Sequence, residues 1–190
     1  MLHESRPSRP WLIYDVSQKM PLFLLDPIEA PWGDYGHILY HGMSMHSSRS
    51  DGRIRLERTG PDIFPITFPI DVIVTDEFRR AFEKSGLRGA RFLPVIKHRI
   101  VELDWGSWDT TEDEAPEMPE SGGPEDYILG RPHSPRAAAA MPELSEFVAS
   151  EDQRADVHYL PSTRIITLST KAKDWFESRY GDYVSVRTKG

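Results

Sequence analysis

The chain has no cysteine in 190 residues. That excludes disulfides, thiolate metal sites and a thiol nucleophile. It also lacks any apolar run near the ~20 residues needed to span a bilayer. The first residues, MLHESRPSRP, have no apolar core of the secretory kind, so the cytoplasm is the expected location. Neither GxGxxG nor GxxxxGK[ST] occurs, which leaves no phosphate-cradling loop to argue from. Ser134 and Ser162 lack a GxSxG setting. No cofactor is implied.

What is abundant is acid, proline and glycine. The net charge is −7, with 16 prolines and 13 glycines. Residues 1–100 carry 14 Lys/Arg against 12 Asp/Glu, whereas residues 101–190 carry 9 against 18. The surplus acid therefore lies in the second half. Such a surface disfavours nucleic acid and anionic lipid and favours a basic protein. The Pro/Gly content predicts long ordered loops.

Residues 71–105 are the most readable stretch. Val72, Ile73 and Val74 suit a buried strand. Thr75 or Asp76 can cap a helix, and Glu77 suits its first turn. Phe78, Ala81, Phe82 and Ser85 recur at helical spacing on one face. Gly86 stands where a left-handed stop is wanted. Residues 92–105 read as one long strand, with Pro94 marking an edge or bulge and a phase slip near Ile100.

A similar pattern returns at the C-terminus. Residues 164–168 are strand-like, Ser169 or Thr170 is a cap, and Ala172, Trp175 and Phe176 form a helix face. Gly181 then precedes a strand at Tyr183, Val184 and Val186. An internal duplication and two uses of a common capped helix both fit.

The fold expected is α+β: a mixed, mainly antiparallel sheet, few helices, long Pro-rich loops, and two similar strand–helix–strand units. A flexible tail at 1–10 precedes an α+β part at 11–105, an acidic loop at 106–126 and a second α+β part at 127–190. Within these, WLIYDV at 11–16 and residues 21–25 read as strands, and 26–36 as turns. Residues 37–45 read as a strand with a bulge at Gly42, closed by a polar turn at 46–52 onto a strand at 53–57. Residues 59–69 read as an extended connector. Residues 127–129 suggest a brief strand, 132–140 a loop, 142–148 a short helix behind Pro142, and 157–160 a strand.

Three chemical possibilities stand out. His37, His41 and His46 are candidate metal ligands, but no recognised ligand spacing supports them and no metal is expected. Asp104 and Asp109 flank two tryptophans in DWGSWD, an acid pair beside aromatic rings of the kind a hydrolase uses. The plainer reading is a strand end whose tryptophans close the core. The third is the acidic loop itself, where Asp109, Glu112, Asp113, Glu114 and Glu117 would meet Lys/Arg of a partner. Trp105 and Trp108 would serve there as apolar anchors. DxDxDG calcium spacing is absent.

The run VIVTDEFRRAFEKSGLRGARFLPVIKHRIVELDW, preceded by ERTGPDIFPITFP, resembles bacterial immunity proteins of polymorphic toxin systems. In that group a capped helix, a Gly turn and an F-x-PV strand recur, here Thr75 to Ser85, Gly86, and Phe92 with Pro94 and Val95. The resemblance covers about a third of the chain. Myxobacterial relatives carry paired CxxCG motifs, which this cysteine-free chain departs from, so their metal chemistry does not transfer. The resemblance implies a non-enzymatic protein that binds and blocks a cognate toxin, often a nuclease. An adaptor binding a signalling partner such as a small GTPase, and a hydrolase acting through Asp104 and Asp109, are the alternatives.

Overall fold

The computed structural model describes residues 22–44 and 51–189. The tail at 1–10, the strand expected at 11–16, His46 and most of the turn at 46–52 lie outside these residues. The chain opens with β1 (Phe23–Pro27), α1 (Asp34–His41), β2 (Met43–Ser44), β3 (Arg55–Gly60), β4 (Ile66–Thr67) and β5 (Ile73–Thr75). It continues through α2 (Asp76–Lys84), β6 (Ala90–Pro94), β7 (Ile96–Glu102) and a 3-10 turn (Trp105–Ser107). Then come α3 (Asp126–Leu129), α4 (Pro135–Ala140), β8 (Leu144–Ala149), β9 (Val157–Tyr159), β10 (Ile166–Leu168), α5 (Thr170–Tyr180) and β11 (Val184–Thr188). This is an α+β fold with few helices and mostly antiparallel sheets.

The two readable units form as their residues dictate. Thr75 Oγ1 accepts a hydrogen bond from the Phe78 N–H, and Ser169 Oγ accepts one from the Ala172 N–H. Each satisfies a helix-end donor that would otherwise be orphaned. Gly86 takes φ +70°, the left-handed stop expected after α2. Gly181 does not repeat it, since its φ is −58°.

The repeat extends to topology. One sheet runs β4-β5-β8-β6 and another β9-β10-β1-β11. In each, a short strand leads into the strand before the helix. The strand after the helix returns to the same sheet with one antiparallel strand between. The inserted strand is β8 in the first sheet and β1 in the second. The helices meet between the sheets, where the Phe78 ring lies 5.6 Å from Trp175, 5.9 Å from Phe176 and 4.7 Å from Tyr180. One core serves both units.

The third sheet, β2-β3-β7, pairs β3 and β7 in parallel. Residues 92–105, expected as one strand, are therefore two strands in different sheets. Pro94 ends the edge strand β6, having no N–H to continue a ladder, and the chain crosses to β3. The phase slip is a bulge: Leu56 pairs with Lys97 and Glu57 with Arg99, leaving His98 extra. One apolar layer joins Ile54, Leu56 and Ile100 to Ala137 and Met141. Another gathers Leu39, Val101, Tyr127 and Ile128, with the tryptophans around them.

Four local segments differ from that expectation. Residues 37–44 do not form one strand: α1 runs to His41, and among the described residues only Met43 and Ser44 of this stretch pair with β3. Burial of Gly36, Leu39 and His41 overrides the β-propensity of HILYH. Gly42, at φ +71°, stops that helix rather than bulging a strand. Residues 127–129 are helical, as are 135–140. Residues 144–149 are a strand paired on both edges, not a helix.

Candidate functional site

The acidic segment starts where β7 ends. The Trp108 N–H closes the 3-10 turn on the Trp105 carbonyl (3.0 Å). Asp109 Oδ1 accepts from the Thr111 N–H (2.9 Å) and hydroxyl (2.7 Å). These bonds hold the Asp109 carboxyl below the usual carboxylate range.

Beyond Asp109 the backbone is pinned at several points. The Trp32 indole donates to the Glu112 carbonyl (2.8 Å), the Tyr127 hydroxyl to the Glu117 carbonyl (2.5 Å), and the Tyr35 hydroxyl to the Gly122 carbonyl (2.6 Å). Ala115 is buried beneath. The segment has no helix or strand, as its composition predicts, yet it is lashed to α1 and α3.

All five candidate carboxylates, Asp109, Glu112, Asp113, Glu114 and Glu117, are exposed. Glu117 pairs with Arg131. Among the described residues, no cation pairs with Glu112, Asp113 or Glu114. The two tryptophans do a different job first. Trp108 lies 6.1 Å from both Trp32 and Tyr127. The Trp105 indole donates to Thr59 Oγ1 (2.9 Å) and its ring lies 5.1 Å from Tyr40. Both are half-buried and close the third core, so only part of each ring faces solvent.

Trp105 also lines a cleft of about 690 Å³. Tyr40, from α1, and Phe64, from the connector after β3, supply the rest of an aromatic wall, their rings 4.9 Å apart. Ala137 and Ala140 of α4 line it too. The charged lining comprises Asp62, Glu102, Asp104 and Arg136. Glu102 accepts from Arg136 Nε (3.1 Å) and Nη2 (2.9 Å) and from Ser134 Oγ (2.7 Å). Those bonds hold its carboxyl low.

Asp104 lines this cleft and Asp109 does not, so the acid pair of DWGSWD is not gathered there. His133 Nδ1 accepts from the Ile100 N–H (3.0 Å). Tyr40, Phe64 and Asp62 were not legible as site residues. Their one signal is Phe64 beside an acid in the proline-rich connector.

His37 and His41 lie one helical turn apart, with rings 4.7 Å from each other. His41 is fully buried, and among the described residues neither of its ring nitrogens has a hydrogen-bond partner. Burial first, then the neighbouring His37 and Arg58, push its pKa down to about 3. Among the described residues, no group of three or more His, Asp or Glu side chains could hold a metal ion, and no helix is long and apolar enough to cross a membrane.

No family model, no curated protein and no solved structure matches the chain.

Proposed function

We propose that this chain is a non-enzymatic docking protein that covers a basic surface on another protein. The observation carrying this is a set of carboxylates, Glu112, Asp113 and Glu114, with no ion-pair partner among the described residues, on a backbone already fixed by Trp32, Tyr35 and Tyr127. A pre-ordered acidic face loses little conformational entropy on contact and steers a basic partner toward it. With the resemblance of residues 57–105 to immunity proteins, the partner proposed is a basic toxin, and the mechanism is steric and electrostatic cover.

The test is a triple charge reversal, Glu112→Lys, Asp113→Lys and Glu114→Lys, measured against the toxin-like product of the neighbouring reading frame. Association should slow by about ten-fold or more at low salt and lose much of its salt dependence. An unchanged on-rate and salt slope would remove the acidic face from the account.

A further inference from the structure

The cleft beside the acidic segment has a chemistry of its own. Its wall is made of the Tyr40, Phe64 and Trp105 rings, and the faces of such rings attract cations. The Trp105–Tyr40 planes are tilted by only 36°, while the Phe64 ring stands at 83° to Trp105, with centroids 6.1 Å apart. The Trp105 ring is fixed by its bond to Thr59, so this wall does not have to form on binding.

Charge points the same way. Glu102 is already matched by Arg136 and Ser134. Asp62 and Asp104 remain: the buried Arg58 donates to the Asp62 carbonyl (3.2 Å) and feels its charge, but among the described residues neither carboxylate has a cation within ion-pairing distance. A neutral ligand would leave both carboxylates without an ion-pair partner, and an anion would be repelled by them. A volume of about 690 Å³ exceeds one side chain and suits a short segment of polypeptide. The small side chains of Ala137 and Ala140 in the lining leave room for an alkyl stem.

We infer that this cleft receives an arginine side chain presented by a basic segment of the partner, stacked on Trp105 and Tyr40 and met by Asp62 and Asp104. This deepens, and rests on, the reading of the chain as a docking protein. Arginine is favoured over lysine because its planar guanidinium both stacks on rings and forks onto carboxylates. Trp105 joins the two features: it lines the cleft and opens the acidic segment. The segment attracts the partner, and the cleft anchors it.

The test uses the full isotope-labelled chain and the single-arginine peptide acetyl-Gly-Arg-Gly-amide, followed by the Trp105 indole NMR signal. A saturable shift is expected. The citrulline peptide, which keeps the shape and loses the charge, should bind about ten-fold more weakly or worse. Ala140→Trp, which fills the cleft without changing net charge, and the pair Asp62→Asn with Asp104→Asn should each weaken arginine binding by a similar factor.

The Glu112/Asp113/Glu114 reversal should leave peptide affinity within about three-fold, because it does not touch the cleft. No shift at Trp105, equal affinity for arginine and citrulline, or undiminished binding in the cleft variants would overturn the inference. Each of those results leaves the acidic-face reading intact. A loop reversal without effect on toxin association, beside normal peptide binding, would sink that reading and spare this one.

Discussion

The Trp105 indole nitrogen donates to the Thr59 hydroxyl across 2.9 Å, joining the turn after β7 to a fully buried residue of β3. That bond orients the ring that faces the cleft. Thr59→Val should lose it while keeping shape, leaving the indole N–H unpaired. The expected cost is about 1–2 kcal/mol, read as a lower urea midpoint, with the Trp105 indole signal displaced. An unchanged midpoint and signal would mean the bond contributes nothing.

Phe78 stands where the helices of both units meet. Phe78→Ala should cost roughly 3–5 kcal/mol, the usual range for an aromatic core truncation. Loss should appear in one cooperative transition, because Trp175, Phe176 and Tyr180 of the second unit lean on the same ring. Two separated transitions in denaturant would contradict a shared core.

Thr75 and Ser169 cap α2 and α5 in the same way. Thr75→Ala and Ser169→Ala should each destabilise by about 1 kcal/mol, whereas Thr170→Ala, one residue inside the second helix, should cost less. Equal losses at Ser169 and Thr170 would show that the cap is misassigned.

His41 predicts a pH dependence. The unfolded chain takes up this proton near the ordinary value of 6.5, whereas the folded chain resists until about 3. Unfolding therefore gains a proton between those values. Stability is whole above about pH 6.5 and falls as pH drops, by up to about 1.4 kcal/mol per pH unit. His41→Phe, which keeps an aromatic ring beside His37 and Phe68, should flatten the curve between pH 6 and 4 relative to wild type. Parallel curves would exclude His41 as the source.

How much was legible follows from where burial is one-sided. Residues 71–86 could be read because α2 has one wet face and one dry face, and its cap is a local matter. The C-terminal unit was readable for the same reason. Residues 144–149 were misread because β8 is paired on both edges and buried on both faces. Leu144, Phe147 and Val148 mimic a helix when no polar alternation survives. α1 was hidden by β-favouring residues whose helical state depends on what they pack against.

The site divides likewise. Asp104, Trp105 and the acids after them are neighbours in sequence, so their charge and aromaticity could be seen. Tyr40 and Phe64 join Trp105 only through the packing of α1 and the connector onto the end of β7. No local pattern announces that meeting.

The position of β1 between β10 and β11 constrains how the protein is made. Synthesis runs from the N-terminus, so β1 emerges early, while both of its edge partners lie beyond residue 165. The second sheet can be sealed only when the chain as far as β11 has left the ribosome, a long-range closure of the slow kind. Until then Leu25 has no Val184 or Leu168 to cover it, and the newborn chain carries an open strand in need of shelter.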